Sequence, residues 1–252
     1  MKKLLYIIAF VLFLISDNYL AIASKLNSKS DYQIIPHTLK ISNKEILFKI
    51  SYPQIKNLEN KDSQENFNKT IRVYVYTQMN VLKKEVRDTK VYINKHKLPQ
   101  AELRFPHAIV QNFETKFHNK YLISIVLAGS IYTGGAHPNS LHYILAFDLK
   151  KGKEVKLENL FKHGMNYLEV ISRYCTDQLL KRNFGDKNWT KEGASAKKEN
   201  YKYFYITSSG LGIIFWRGQV ASMADGVQEV FIPYNQINDI IDSNGPLSSI
   251  LK

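Results

Sequence analysis

A chain of 252 residues that is 44% hydrophobic and 12% aromatic can bury a core, which excludes disorder as a description of its body. A single cysteine, Cys175, excludes an intramolecular disulfide; on the apolar stripe of a predicted helix it reads as a small buried hydrophobe. Lys and Arg outnumber Asp and Glu by 35 to 22, a net charge of +13, which reflects either an anionic partner drawn in by a long-range field or simply a lysine-rich composition.

The chain opens on Lys2 and Lys3, followed by an unbroken apolar run from Leu4 to Ile15. Asp17 and Asn18 interrupt it, and Ala21-Ile22-Ala23 places small residues where a signal peptidase reads. The run is shorter than the about 20 residues that a membrane span needs. Residues 1–23 therefore read as a cleavable signal peptide cut after Ala23, leaving a periplasmic or secreted protein with no stable membrane span. No Cys follows the run, so no lipid anchor is expected, and export leaves nucleic acid out as a natural partner.

A polar tether (24–31) leads to two strand-like runs, Tyr32–Ser42 and Glu45–Tyr52, the second closed by Pro53. From Asp62 or Ser63 to about Arg87, Phe67, Ile71, Val75, Met79, Leu82 and Val86 recur at spacings of three and four, the stripe of an amphipathic helix. After a loop with Pro99 and Pro106, the runs Ala108–His118 and Tyr121–Ile131 flank Asn119-Lys120 as a hairpin. Leu141–Leu149 is a further strand, turned by Lys150-Lys151-Gly152-Lys153 into Val155–Leu157. A second amphipathic helix is predicted over Asn166–Arg182, with Leu168, Ile171, Cys175 and Leu179 on one face. Residues 183–200 read as a long loop, followed by strands over Tyr201–Thr207, Leu211–Trp216 and Glu229–Ile232 and a closing helix over Tyr234–Ile241. Helices segregated from hairpin-like strands imply an α+β fold: antiparallel sheets with one amphipathic helix on each of two similar-sized halves.

The most unusual string is Tyr132-Thr133-Gly134-Gly135-Ala136-His137-Pro138-Asn139. Adjacent glycines permit positive φ and close backbone approach, and backbone N–H groups in such a turn can cradle an anion or a ligand oxygen. Tyr132, Gly134, Gly135, His137 and Asn139 are thus candidate binding residues; the alternative is a tight strand crossing that His137 fixes. Trp189, in the predicted loop, is a candidate for stacking on sugar rings. His137 and His142, five apart, point to opposite faces of a strand, and no His/Cys/carboxylate set has zinc spacing, so no metal is expected. No Gly-x-Ser-x-Gly elbow, phosphate loop or dinucleotide fingerprint occurs, so neither a catalytic constellation nor a cofactor is read. Asn68 and Asn188 open Asn-x-Thr sequons that matter only where the host glycosylates exports.

These strings resemble a family of bacterial extracytoplasmic domains of unknown function, found in the outer part of RsiV-type anti-sigma factors and, for the N-terminal half, in PdaC-type peptidoglycan deacetylases. The first half carries the likeness in Ile50–Ile55, Asn66-Phe67-Asn68 and Tyr132–His137; the second in Phe147-Asp148-Leu149, Leu157–Phe161, Asp225-Gly226 and Val230–Tyr234. The resemblance implies a tether and first strand at 24–40, a PdaC-N-terminal-like module at 41–138 and an RsiV-C-terminal-like module at 139–252. Only Met1 to Lys3 precede the apolar run and the sequence ends at Lys252, so neither sigma-factor binding nor a following deacetylase domain is expected. The reading is an exported, non-catalytic binding protein of the cell envelope, with cell-wall glycan or another anionic envelope component as ligand. A lysozyme-binding or inhibitor-like protein-recognition domain is the alternative, set back by the basic charge of both partners. A small envelope hydrolase using His137 comes after it.

Overall fold

The computed structural model describes residues 32–97 and 106–251. The predicted signal peptide (1–23) and the predicted tether (24–31) lie outside the described residues. No described helix is long and apolar enough to cross a membrane.

The fold is α+β. A six-stranded sheet takes β1 (Gln33–Ser42), β2 (Ile46–Lys56), β3 (His107–His118), β4 (Leu122–Tyr132), β5 (Asn139–Asp148) and the short β6 (Lys153–Glu154), neighbours in that order. Pairing is antiparallel except between β2 and β3, which run parallel over Ile46–Ile50 and His107–Gln111. That exception to the all-antiparallel expectation comes from the helix between them. α1 (Lys61–His96), 36 residues long, carries the chain back to the end from which β2 started.

α1 is capped by Asn60, whose side chain accepts from the Ser63 N–H at 3.0 Å. Phe67, Ile71, Val75, Met79, Leu82 and Val86 are buried on the sheet, as their spacing predicts. The helix outruns the predicted end at Arg87 because Ile93 stays on the same stripe and the left-handed Lys97, φ 52°, closes it. β2 likewise continues past Pro53. Pro36 and Pro53 face each other across β1 and β2, and β3 pairs with β2 only as far as Ile50. The missing N–H of Pro53 therefore breaks no ladder. Asn68 of α1 takes the place of a neighbouring strand there, accepting from Ile55 N–H at 2.8 Å and donating to the Ile55 carbonyl at 3.0 Å. The amide of this sequon is spent inside the fold.

The second half packs α2 (Tyr167–Leu180), the short α3 (Lys187–Gly193) and a three-stranded antiparallel sheet of β7 (Phe204–Ile206), β8 (Gly210–Phe215) and β9 (Gln228–Pro233). Ile171, Cys175 and Leu179 enter a core that also takes Phe117, Leu122 and Ala146 from the large sheet. Burial pushes the Cys175 thiol far above its usual range, leaving it an inert core group. Ile206 N–H donates to Ser124 Oγ at 2.9 Å, tying the small sheet to the large one. Two predicted elements differ. Residues 183–200 hold α3, because Asp186 caps it by accepting from Asn188 and Trp189 N–H and because Thr190 and Ala194 suffice to bury it. The predicted helix over Tyr234–Ile241 is only a 3₁₀ turn, Tyr234–Gln236. Ile237, Ile240 and Ile241 are all buried, and Ile241 bridges to Phe161 as a strand, so tertiary packing overrides a segment already poor in helix formers.

Candidate functional site

The string from Tyr132 to Asn139 joins β4 to β5, with Ile131 paired to Asn139. Gly134 sits at φ 88° and needs to be glycine; a Cβ on Gly135 would meet nothing within 4 Å. Tyr132 and Gly134 are half-buried, and Gly135, His137 and Asn139 are exposed. Nδ1 of His137 lies 3.2 Å from the Pro138 carbonyl, its neighbour in sequence, and no carboxylate is seen to orient the ring. Trp189 stands on α3, its indole N–H donating to the Gly218 carbonyl at 3.1 Å and its ring 41% exposed. The five loop residues are thus one turn, and Trp189 belongs to another part of the fold. Among the described residues no group of three or more His, Cys, Asp or Glu side chains is placed to hold a metal ion.

The opposite end of the same hairpin is built differently. Leu122 pairs with Asp148, which sets the β3–β4 turn beside the β5–β6 turn. Asp148 Oδ1 accepts from the N–H groups of Lys150 and Lys151 at 2.9 and 2.8 Å, and Gly152, φ 65°, closes the turn by donating to the Asp148 carbonyl at 2.8 Å. Asn60 and Asn66 at the start of α1 donate to the carbonyls of Lys150 and Gly152 at 3.4 and 3.3 Å. Across the way, Asn119 Oδ1 accepts from Tyr121 and Leu122 N–H, while its Nδ2 donates to Ser249 Oγ at 2.9 Å. Leu149 N–H donates to the Tyr121 carbonyl at 2.8 Å. The N–H groups of Tyr121, Leu122, Lys150, Lys151 and Gly152 are therefore all engaged.

Two clefts meet between them. One, of about 550 Å³, is bounded by Tyr121, Asp148, Lys150, Lys151 and the C-terminal segment from Asn244 to Ser249. The other, of about 310 Å³, runs from Tyr32 and Leu58 past Asn60 to Lys120 and Leu149. Tyr121 and Lys150 line both. The Tyr121 ring, 47% exposed on a fully fixed backbone, forms the ridge between them. Lys120, Lys150 and Lys151 stand around it, with Glu59 4.0 Å from Lys120 and the buried Asp148, which also holds its own turn, 3.9 Å from Lys151. An aromatic ridge between two clefts, with amides, hydroxyls and ammonium groups around it, suits an extended polar chain that carries negative charge.

Sequence reading found both turns but not this site. Asn119-Lys120-Tyr121 and Lys150-Lys151-Gly152 each look like ordinary charged turns, and only the β4–β5 register sets them side by side.

Comparison with known proteins divides the chain at this same hairpin. Residues 39–140 match the family described as Deacetylase PdaC, and residues 158–235 match a protein family of unknown function, DUF3298. The Peptidoglycan-N-acetylmuramic acid deacetylase PdaC of Bacillus subtilis is 25% identical over 223 residues, covering 87% of this chain. The chain spans only 44% of that relative's length. Two crystal structures share the fold. A DUF3298 family member from Bacteroides fragilis superposes with a TM-score of 0.64 at 18% identity, over 89% of this chain and 99% of its own. A DUF3298 family protein from Pseudomonas aeruginosa gives 0.53 at 13% identity, over 87% and 97%. The resemblance read from the sequence holds in both halves.

Proposed function

We propose that this chain is an exported, non-catalytic binding protein of the bacterial cell envelope, and that it holds carboxylate-bearing cell-wall glycan across the Tyr121 ridge. The observation that carries the reading is the meeting of two clefts at one exposed, backbone-fixed tyrosine among three lysines. The tyrosine face offers a sugar ring an apolar platform, and Asn244 and Ser248 offer hydrogen bonds to hydroxyl and acetamido groups. Lys120, Lys150 and Lys151 offer their charge to carboxylates. The similarity to a protein named a peptidoglycan deacetylase supports peptidoglycan as the ligand class. The Tyr132–Asn139 loop is a weaker contact surface, since Gly135 faces open space and His137 touches only its neighbour's carbonyl.

Co-sedimentation with purified peptidoglycan at low salt tests the reading. The wild-type protein is expected to pellet with the polymer, and Tyr121→Ala to lose at least about tenfold in binding, the loss expected of a central aromatic anchor. Unchanged sedimentation of a folded Tyr121→Ala variant, or no sedimentation of the wild type, would remove the reading.

A further inference from the structure

Among the described residues, one edge of the large sheet is left without a strand partner over much of its length. β6 pairs only with Phe147 and Asp148, so among the described residues no strand pairs with the outer edge of β5 from Asn139 to Leu145. The Val155 N–H donates to the Ala146 carbonyl at 2.8 Å, which fixes the parity of the strand. β5 keeps unbroken register with β4, so Ser140, His142 and Ile144 also turn their main-chain N–H and C=O groups outward. Residues 139–144 are all exposed or half-buried.

Sheet edges are ordinarily blunted by proline, lysine or a bulge. The opposite edge, β1, carries Pro36 at its centre and Lys40 beyond. β5 reads Asn-Ser-Leu-His-Tyr-Ile-Leu over the open stretch, with none of these.

A groove lies beside this edge on the α1 side, where an added strand would place every second side chain. It measures about 450 Å³, with Tyr74, Tyr143 and Phe147 as its floor and Val73, 56% exposed, as its wall. Tyr74 and Tyr143 are stacked with ring centroids 4.2 Å apart. Burial pushes the Tyr143 phenol up to about 12, so the floor stays uncharged at neutral pH. Lys69 and Lys153 stand at the rim, against the single acid Glu154.

We propose that the β5 edge from Asn139 to Ile144 takes up an extended peptide segment of another protein as an added strand. One of its apolar side chains enters the groove at Val73 and Tyr143, and an acidic one reaches Lys69 and Lys153. The open backbone supplies affinity and the groove supplies selectivity, the division of labour in strand addition. This site is independent of the Tyr121 clefts and survives if glycan binding there is disproved.

The probe is an acetylated, amidated heptapeptide, Thr-Glu-Thr-Val-Thr-Glu-Thr, whose valine and glutamates fall on one face of a strand. Its lysine-for-glutamate counterpart and a version with proline at the central valine are the controls, and all are added to the full chain. Amide hydrogen exchange at Ser140, His142 and Ile144 is expected to slow by about tenfold or more with the glutamate peptide alone. Ser140→Pro removes an outward N–H that takes no part in the β4 ladder. That variant is expected to melt like the wild type yet bind the peptide about tenfold more weakly. No slowing at millimolar peptide, or equal slowing by the proline-interrupted peptide, overturns the proposal. So does sedimentation as a dimer with these amides already slow before peptide is added, since a second copy would then own the edge.

Discussion

The two ends of the β4–β5 hairpin both carry glycine, histidine and tyrosine and do different things with them. At one end, Gly134 and Gly135 sit in a loop whose His137 reaches only the adjacent carbonyl. At the other, Gly152, Asp148 and Asn119 form turns strapped to α1 and to the C-terminal segment by side-chain hydrogen bonds. The first end has the rarer sequence, the second the more determined geometry. A binding surface needs side chains that are already aimed, because ordering them at the moment of binding costs free energy that the complex must recover. The strapped end therefore meets this requirement of the proposed recognition surface.

Substituting the glycines is expected to break the comparison most visibly. Gly152→Ala places a Cβ 3.3 Å from Ser63 Cα at a residue with φ 65°, and destabilisation of roughly 1–3 kcal/mol is expected in urea unfolding. Gly135→Ala puts its Cβ into open space, and a change within about 0.5 kcal/mol is expected. Equal losses at the two sites would show that the ends are not differently held. Next in size is Asp148→Ala, which leaves the Lys150 and Lys151 N–H groups without their acceptor. A loss of about 1–2 kcal/mol is expected, with Asp148→Asn recovering most of it because its amide oxygen still accepts.

Histidine sharpens the contrast through pH. His118 closes β3 beside Tyr32, a residue of the smaller cleft, and burial lowers its imidazole below the usual value. A depressed folded-state pKa means that the unfolded chain binds the proton more readily. The stabilisation is therefore complete above the unfolded value of about 6.5 and is lost as pH falls through the lowered folded one. His142, half-buried and likewise lowered by desolvation, adds to the same slope. His118→Gln is expected to flatten the stability-against-pH curve below about pH 6.5. An unchanged curve for a folded His118→Gln variant would contradict the account.

Much of the fold is legible in the sequence because single elements declare themselves. The stripe from Phe67 to Val86 is unmistakably one face of a helix, and Asn119-Lys120 marks a hairpin. What escapes is whatever depends on partners distant in the chain. Pro53 looks like a strand terminator until β3 is known to stop beside Ile50. Tyr234–Ile241 looks helical until its isoleucines are claimed by the core from several directions. Asn68 looks like a surface sequon until it is found hydrogen-bonded to β2. The site escapes for the same reason. Tyr132–Asn139 draws attention because its composition is rare, whereas Tyr121, Lys150 and Lys151 become a site only when two commonplace turns are set side by side.

The most direct test follows backbone amide signals of the full chain by NMR as soluble peptidoglycan fragments bearing free carboxylates are added. The account predicts concentration-dependent shifts at Tyr121, Lys150, Lys151 and Asn244 that diminish as salt is raised, with Gly135 and His137 unmoved. Shifts centred on Gly134 to Asn139, with the Tyr121 clefts silent, would contradict it.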